Sequence, residues 1–338
     1  MTAVHIGLDV GSTAIKVIAY APEEQRVLAS VRRSLPSPLV HKGGAAMRHE
    51  HDAEAVRRAV FDALRDIVRD VSARGATIEA IGATGQMHGG LVVDRALRPL
   101  TPFVTWQDKR GDEPGPENQR SAVQALAPLL AEDPTGTHIH TGFLLATLQW
   151  WMWHPHEAFV GGRVPQADGA SVLGIYDWII SLLVGRAVTD ISSAAAWAMY
   201  DPIRREWRHA ALRQVGIPEG WLPEVHEPGG VVGVVCDAAS TELGLPMSRV
   251  RVHAPIGDTQ ASYLGAGCTR EDLLLNFGTG SQSLWETPLP IASEGTDIRY
   301  LQNGRWLAAA PTLAGGEAYR ILAGFFRDVA LEVTATEV

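Results

Sequence analysis

The sequence predicts an α/β protein with two domains, on the basis of its length and of two alternating kinds of periodicity. The chain has 338 residues, and a domain takes about 150 residues, so we expect two cores. Runs rich in β-formers alternate with amphipathic helical runs, a pattern typical of α/β folds. Hydrophobic residues make up 46% of the chain and charged residues 20%, a composition typical of a globular protein.

The first predicted element is a β-hairpin. Residues 4–20, VHIGLDVGSTAIKVIAY, contain two β-rich runs. Gly11, Ser12 and Thr13 join them, and small and hydroxyl residues of this kind favour a tight turn.

A long helix is predicted next. Asp52 is a candidate N-cap, apolar residues then recur at three- and four-residue spacing to about Arg74, and Gly75 ends the pattern. Apolar runs predict further strands at 80–85 and 90–93 and further helices at 143–153 and 174–185.

The predicted domain boundary lies near residue 245. A stretch rich in proline and glycine covers about 216–233, and a new β/α alternation begins afterwards with RVHAPIG. We therefore expect one domain at 1–245 and a second at 246–338.

Composition also limits location and partners. No run reaches the roughly 18 apolar residues of a membrane helix, and the N-terminus has no export signal, so a soluble cytoplasmic protein without a membrane partner is expected. The net charge of −9 argues against a nucleic-acid partner, because phosphate backbones select basic surfaces.

Three motifs could carry phosphate chemistry. Asp9 ends the first β-run before the hairpin turn, where a carboxylate with free N–H groups and hydroxyls suits Mg²⁺ and phosphate; a plain turn explains it equally. Asp258, in IGDTQAS, is either a helix cap or a catalytic base.

The loop NFGTGSQS at 276–283 nearly matches G-x-G-x-x-G, but the strand-like SLWET follows it where a dinucleotide fold needs a helix. Two interpretations of this loop remain: a hairpin whose amides and hydroxyls bind a phosphate, or a plain hairpin.

Two segments suggest a polyol site. GQMHG follows a predicted buried strand, and TWQDKR combines an aromatic face with a carboxylate and a guanidinium. Sugars are bound by such mixtures, which hydrogen-bond hydroxyls and stack on C–H faces. Ordinary loop and core positions are the alternative.

Taken in this order, the motifs resemble the FGGY carbohydrate kinases. The resemblance covers DVGSTAIK, RHEHDAEAV, GQMHG, TWQDKR, the segment from YDWIISLLVG to TDISSAAA, GDTQAS and FGTGS. GQMHG is shared with xylulokinases, whereas VTWQDKR, TGFLLATLQWW, GDTQAS with LLLNFGTGSQSLW, and AAAPTLAGGEAY resemble sedoheptulokinases most.

The resemblance implies two RNase H-like domains of the actin and Hsp70 type, a ketose substrate, and ATP and Mg²⁺ as cofactors. Asp258 would be the general base and Asp9 the Mg²⁺ ligand. The phosphate-binding residues would be Gly11, Ser12, Thr13 and Lys16 in one loop and Gly278, Thr279, Gly280 and Ser281 in another. The ketose pocket would be lined by Gln86, Met87, His88, Trp106, Asp108, Arg110 and Gln260.

The resemblance further implies that the second domain is incomplete, since the family's adenosine-binding region would follow residue 338. Three interpretations stay open: a kinase acting on sedoheptulose or a related ketose such as D-xylulose, an inactive fragment that keeps sugar binding, and another actin-like ATPase. A homodimer is a candidate assembly.

Overall fold

The computed structural model describes residues 2–39, 48–116, 120–245, 249–277, 281–312 and 316–335 as an α/β protein. The chain divides into two compact units. The first comprises Met1–Glu132 and His138–Ala261, and the second comprises Asp133–Thr137 and Ser262–Val338.

The first unit contains most of the secondary structure. Its strands are β1 (Ala3–Val10), β2 (Ala14–Ala21), β3 (Arg26–Ser34), β4 (Glu50–His51), β5 (Thr77–Gly85), β6 (Leu91–Asp94), β7 (Phe103–Val104), β8 (Ala170–Leu173), β9 (Val188–Asp190), β10 (Tyr200–Asp201), β11 (Glu206–Trp207), β12 (Glu224–His226), β13 (Val231–Val234) and β14 (Arg251–His253). Its helices are α1 (Ala53–Ala73), α2 (Ala122–Leu126), α3 (Leu144–Trp153), α4 (Pro155–Ala158), α5 (Ile175–Val184), α6 (Ile191–Ala196), α7 (His209–Val215) and α8 (Asp237–Leu243). The division between the units falls inside α9 (Asp258–Gly265).

A six-stranded sheet in the order β13-β14-β5-β1-β2-β3 forms the centre of the first unit. β1, β5 and β14 run parallel to one another, and the remaining neighbours pair antiparallel. Every second residue of β1 is buried, α1 packs against β2 and β3, and α5 packs against β5 and β14. One continuous apolar core joins the sheet to these helices.

The local predictions for this unit are confirmed. β1 and β2 form the expected hairpin, in which the Gly11 N–H donates to the Ala14 carbonyl at 3.0 Å. Asp52 caps α1 by accepting a hydrogen bond from the Ala55 N–H at 3.2 Å. The strand predicted at 80–85 is the second half of β5, and the two predicted apolar helices are α3 and α5.

The first unit extends beyond the predicted boundary at residue 245. β14 pairs with β5 in the central sheet, with Arg251 opposite Ala80, so the chain up to Ala261 belongs to this unit. The β/α alternation that starts at RVHAPIG is therefore the last strand of the first sheet. Asp258 consequently lies in the same unit as Asp9.

The second unit contains a four-stranded antiparallel sheet in the order β15-β16-β18-β17. Its elements are β15 (Leu273–Phe277), β16 (Ser281–Thr287), β17 (Asp297–Gln302), β18 (Arg305–Thr312) and α10 (Gly316–Ala335). β15 and β16 pair with Phe277 opposite Ser281, which confirms that strands flank the glycine-rich loop. Across the described parts of both units, every helix is too short or too polar to cross a membrane.

Two carboxyl groups lie fully buried beside the core. Asp177 on α5 accepts a hydrogen bond from Thr189 Oγ1 at 2.7 Å, and Asp190 is the N-cap of α6. Burial raises the pKa of Asp177 well above its usual range, and repulsion from Asp190 adds to this. Burial also raises the pKa of Asp190, to about 6, although hydrogen bonds from Ser192 and Ser193 oppose the shift. Asp177 therefore keeps its proton in the folded chain above the pH at which an exposed carboxyl loses it.

This burial makes folding stability depend on pH. Between the unfolded pKa and the raised folded pKa of Asp177 the folded state binds more protons, so its contribution to stability falls as pH rises through that window. Asp177→Asn keeps the acceptor for Thr189 and removes the ionisation. We expect Asp177→Asn to raise the thermal unfolding midpoint relative to the parent at pH 8 and to raise it less, or lower it, at pH 5.

The exposed Asp70 on α1 provides the control, because Asp70→Asn should shift the midpoint equally at both pH values. An Asp177→Asn effect that does not change between pH 5 and pH 8 would contradict the buried-proton account.

Candidate active site at the carboxyl ends of three parallel strands

Strand register brings two of the predicted phosphate-site segments to one edge of the sheet. In β1, Asp9 lies opposite Thr84 of β5. On the other side of β5, the Ile256 N–H donates to the Ala83 carbonyl at 3.2 Å. Neighbouring strands are about 4.8 Å apart, so the backbones at Asp9 and at Ile256 flank β5 at roughly 10 Å from each other. Asp258 follows two residues later.

Asp9 and the hairpin turn form the first part of this edge. Asp9 Oδ2 accepts a hydrogen bond from Lys16 Nζ at 3.0 Å, and the side chains are 32% and 55% exposed. Ser12 and Thr13 are exposed in the turn. Among the described residues no cluster of three or more His, Cys, Asp or Glu side chains could enclose a metal. A single accessible carboxylate suits Mg²⁺, which keeps several waters and binds substrate phosphates rather than a full protein cage.

The end of β5 connects the β1–β2 hairpin to the residues that lead into α9, Ile256 to Asp258, which we call the Asp258 segment. The Gln86 N–H donates to the Val10 carbonyl at 3.0 Å, and Gln86 Nε2 lies 3.4 Å from the Gly11 carbonyl. Met87 packs so closely against Gly257 that a β-carbon there would lie 2.5 Å from the Met87 sulfur. Gln86 is 4% exposed, and its Oε1 has no hydrogen-bond partner among the described residues. A buried amide oxygen of this kind suits a ligand donor.

His88 lies in a constrained backbone position. Its φ is 75°, a left-handed conformation that is uncommon for a non-glycine residue and clusters at functional sites. Its Nδ1 lies 2.8 Å from the Ala196 carbonyl, and its ring stacks on Phe143 with centroids 4.3 Å apart. The next two residues must be glycine, because a β-carbon at Gly89 or Gly90 would collide with a neighbouring backbone carbonyl.

The TWQDKR segment separates into one exposed and two buried side chains. Trp106 is 47% exposed, whereas Asp108 and Arg110 are 0% and 3% exposed. Arg110 Nε donates to Asp108 Oδ1 at 2.8 Å, and Arg110 Nη2 donates to Glu50 Oε2 at 2.6 Å. Asp108 Oδ2 also accepts from the His49 N–H at 2.7 Å. These hydrogen bonds fasten the loop that carries Trp106 to the strand preceding α1.

The ion pair decides the charge state of Asp108. Burial alone would raise the pKa of this carboxyl, but the hydrogen bonds and positive charge of Arg110 outweigh burial and lower the pKa. The Arg110 guanidinium also lies over the Trp150 ring, 5.2 Å from its centroid, an arrangement that stabilises a buried cation. The present partners of both charged groups are therefore protein groups, and their contact with a sugar stays a prediction.

Asp258 is the first residue of α9 and is exposed. Its Oδ1 accepts a hydrogen bond from the Thr259 N–H at 2.7 Å. Gln260, the third residue of α9, is 1% exposed. Its Oε1 would lie 2.7 Å from a β-carbon placed at Gly257. Asp258 thus lies, as an exposed residue, on a helix start that is held by close packing.

The second predicted phosphate loop is only partly described. Gly278, Thr279 and Gly280 lie outside the described residues, and Ser281 is the buried first residue of β16 in the second unit. The assignment of this loop stays a prediction.

The buried polar cluster next to this edge was not predicted from the sequence. Asp177, Asp190, Ser192 and Ser193 are 0% to 2% exposed, and Ser192 Oγ accepts a hydrogen bond from the Gly257 N–H at 3.0 Å. Their signal in the sequence is the presence of carboxylates within the apolar runs YDWIISLLV and TDISSAAA, because a charged residue in a buried run needs partners.

A protein-family model describes the same part of the chain. Residues 4–265 match the N-terminal domain of the FGGY family of carbohydrate kinases. This match covers most of the chain, and the chain belongs to this family of phosphotransferases.

Individual relatives are distant. A glycerol kinase of Thermococcus onnurineus is 27% identical over 300 residues, covering 88% of this chain and 55% of the relative. A human sedoheptulokinase is 25% identical over 371 residues, covering 99% of this chain and 72% of the relative. The crystal structure of a xylulose kinase from Rhodospirillum rubrum superposes with a TM-score of 0.82 at 24% identity, covering 98% of this chain and 65% of that chain, which shows the shared fold. The chain spans about half the length of the glycerol kinase it matches.

The Arg110 ion pairs should dominate the stability of the Trp106 loop. Arg110→Met keeps most of the apolar stem but removes the cation between Asp108 and Glu50. Breaking a buried ion pair costs about 3–5 kcal/mol, so we expect a loss of this size in the free energy of unfolding, measured by urea denaturation.

Arg98→Met is the matched control, since Arg98 pairs with Asp94 at the surface and is 77% exposed. Exposed pairs contribute about 0–1 kcal/mol. Equal losses for the two variants would contradict a supporting role for the buried pair.

Proposed function

We propose that this chain carries the sugar-binding site and the catalytic base of an ATP-dependent kinase that phosphorylates the terminal hydroxyl of a ketose. The observation that carries the proposal is the meeting of Asp9, Gln86 and the Asp258 segment at the carboxyl ends of three parallel strands. Ligands bind outside the carboxyl ends of the strands in open α/β sheets. Family membership supplies the reaction class.

Asp258 is the proposed general base. Its exposed carboxylate accepts the proton of the sugar hydroxyl as the hydroxyl oxygen attacks the γ-phosphorus of ATP. The new bond joins the sugar oxygen to phosphorus, and the bond between this phosphorus and the β,γ-bridging oxygen breaks, so ADP leaves with the electron pair. A base on a helix start held by packing suits this step, because phosphoryl transfer depends mainly on positioning.

Asp9 is the proposed Mg²⁺ ligand. The cation, when bound, neutralises charge on the phosphates of ATP. Gly11, Ser12, Thr13 and Lys16 in the adjacent hairpin offer N–H, hydroxyl and ammonium donors to the same phosphates. The Lys16 ammonium is paired with Asp9, but its side chain is 55% exposed, so it can donate to a phosphate oxygen as well.

The ketose is proposed to lie against the end of β5. Gln86 Oε1 and His88 hydrogen-bond sugar hydroxyls, and the exposed face of Trp106 stacks on the C–H face of the sugar. Met87 and Gln260 fill the space around Gly257. Asp108 and Arg110 are proposed to support this pocket from the protein interior, where their mutual ion pair holds the Trp106 loop.

Two RNase H-like domains are the proposed architecture, with sugar bound by the first unit, which extends to Ala261, and with the second unit contributing to nucleotide binding. In the order β14-β5-β1-β2-β3, four strands run in one direction and β2 runs opposite to them, which supports this architecture for the first unit. In the second unit, the loop from Gly278 to Ser281 is the proposed second phosphate loop.

Sedoheptulose, giving sedoheptulose 7-phosphate, is the proposed substrate, because the segments around Trp106, Asp258 and the glycine loop resemble sedoheptulokinases most. D-Xylulose is the second candidate, favoured by GQMHG. A coupled ADP-release assay over several ketoses, beside sugar binding by calorimetry, separates these from an inactive fragment. Turnover fastest with sedoheptulose supports the proposal, and binding without turnover supports the fragment.

Asp258→Asn tests the base directly. The amide keeps the size of the side chain but cannot take the proton, so we expect kcat to fall on the order of 10²-fold to 10⁴-fold, while the dissociation constant of the ketose measured by calorimetry changes little.

Asp237→Asn is the matched control, because Asp237 is an exposed carboxylate at the first residue of α8. It should leave kcat unchanged. Parent-level turnover in Asp258→Asn would overturn the assignment of the base.

A further inference from the structure

The buried cluster at the start of α6 is connected to the Asp258 segment by hydrogen bonds. Asp190 Oδ2 accepts from the Ser192 N–H at 2.6 Å and from the Ser192 hydroxyl at 2.5 Å. Asp190 Oδ1 accepts from the Ser193 N–H at 3.2 Å and from the Ser193 hydroxyl. The carboxylate therefore fixes the backbone and hydroxyls of the first helical turn together.

The direction of the Ser192 hydroxyl follows from this arrangement. An ionised carboxylate only accepts hydrogen bonds, so the single Ser192 proton points at Asp190 and the oxygen lone pairs point away from it. On that side the Gly257 N–H donates to Ser192 Oγ at 3.0 Å. Asp190, Ser192 and Gly257 thus form a directed chain that ends one residue before Asp258.

Gly257 has little freedom to move. A β-carbon there would lie 2.5 Å from Met87 and 2.7 Å from Gln260 Oε1, so side chains enclose the backbone. The preceding Ile256 N–H is held by the Ala83 carbonyl at 3.2 Å. Two consecutive peptide N–H groups are therefore anchored, one to the central sheet and one to α6, before the chain turns into α9.

The other end of α6 is tied to the proposed sugar site. The Ala196 carbonyl lies 2.8 Å from His88 Nδ1. A helix of six residues spans about 9 Å, so α6 sets the spacing between His88 and Gly257. Ser193, beside Ser192, faces Tyr176 instead, with its Oγ 2.9 Å from the tyrosine hydroxyl.

We propose that Ser192, oriented by Asp190, is a positioning residue that fixes the Gly257–Asp258 peptide and thereby aims the Asp258 carboxylate at the sugar hydroxyl. The proposal rests on the proposed function, since it assigns Ser192 a role through the base at Asp258. Ser192 contacts neither substrate nor phosphate. Its effect is on geometry, and misplacement of a reacting group by about 1 Å costs on the order of 10²-fold in rate.

Ser192→Ala removes the acceptor for Gly257 while keeping the Ser192 N–H bond to Asp190. We expect kcat to fall on the order of 10-fold to 10²-fold, with the ketose dissociation constant unchanged within about 3-fold, since sugar contacts are intact. Hydrogen exchange of the Gly257 amide, followed by NMR, should accelerate. The thermal midpoint of the variant is measured beside these values.

Ser193→Ala is the matched control. It removes a buried hydroxyl from the same carboxylate and the same helical turn but not from Gly257, so it should match the stability loss of Ser192→Ala without its loss of kcat or faster Gly257 exchange. Equal kcat losses in the two variants, or unchanged Gly257 exchange in Ser192→Ala, would overturn the positioning role.

A parent chain that turns over no ketose would contradict the proposed function, and the exchange measurement then decides the inference by itself. Faster Gly257 exchange in Ser192→Ala alone supports the anchoring of the Asp258 segment. Equal exchange rates in both variants refute it.

Discussion

The parallel pairing of β1, β5 and β14 is the constraint on which the candidate site depends. Because these strands run in one direction, the chain leaves all three at the same edge of the sheet. The register places Asp9 of β1 opposite Thr84 of β5, and the Ile256 N–H donates a hydrogen bond to the Ala83 carbonyl of β5. A shift of one residue in either pairing would turn the side chains to the other face of the sheet. Because every second residue of β1 is buried, such a shift is unfavourable, and the position of Asp9 is fixed.

Buried polar groups then secure the loops that leave this edge. Arg110 ties the loop carrying Trp106 to Glu50, and Asp190 with Ser192 ties α6 to Gly257. Burying such groups costs free energy unless they are hydrogen-bonded, and here the ionised carboxylates each accept several hydrogen bonds. The cost is offset within each network, and the result is a set of loops with defined positions around the carboxyl ends of the strands.

Much of the first unit could be predicted from the sequence, because its elements follow local rules. The turn at Gly11, the cap at Asp52 and the apolar repeat of α1 each depend on a few neighbouring residues. The extension of this unit past residue 245 could not be predicted, since it depends on β14 pairing with β5 across about 170 residues of chain. The motif residues were found by type and order, but the buried state of Asp108 and Arg110 and the link from Ser192 to Gly257 are tertiary contacts that spacing does not reveal.

The central claim is that the Asp9 turn and the Asp258 segment belong to one site. Mn²⁺, a paramagnetic substitute for Mg²⁺, tests it by NMR, since it broadens the amide signals of residues near the bound ion. In the presence of ADP, the account predicts that Mn²⁺ broadens the amides of Asp9 and Gly11 and those of Gly257 and Asp258 over the same range of concentration, and that Asp9→Asn weakens both effects together. Broadening confined to one of the two segments, or unchanged by Asp9→Asn, would contradict a shared site.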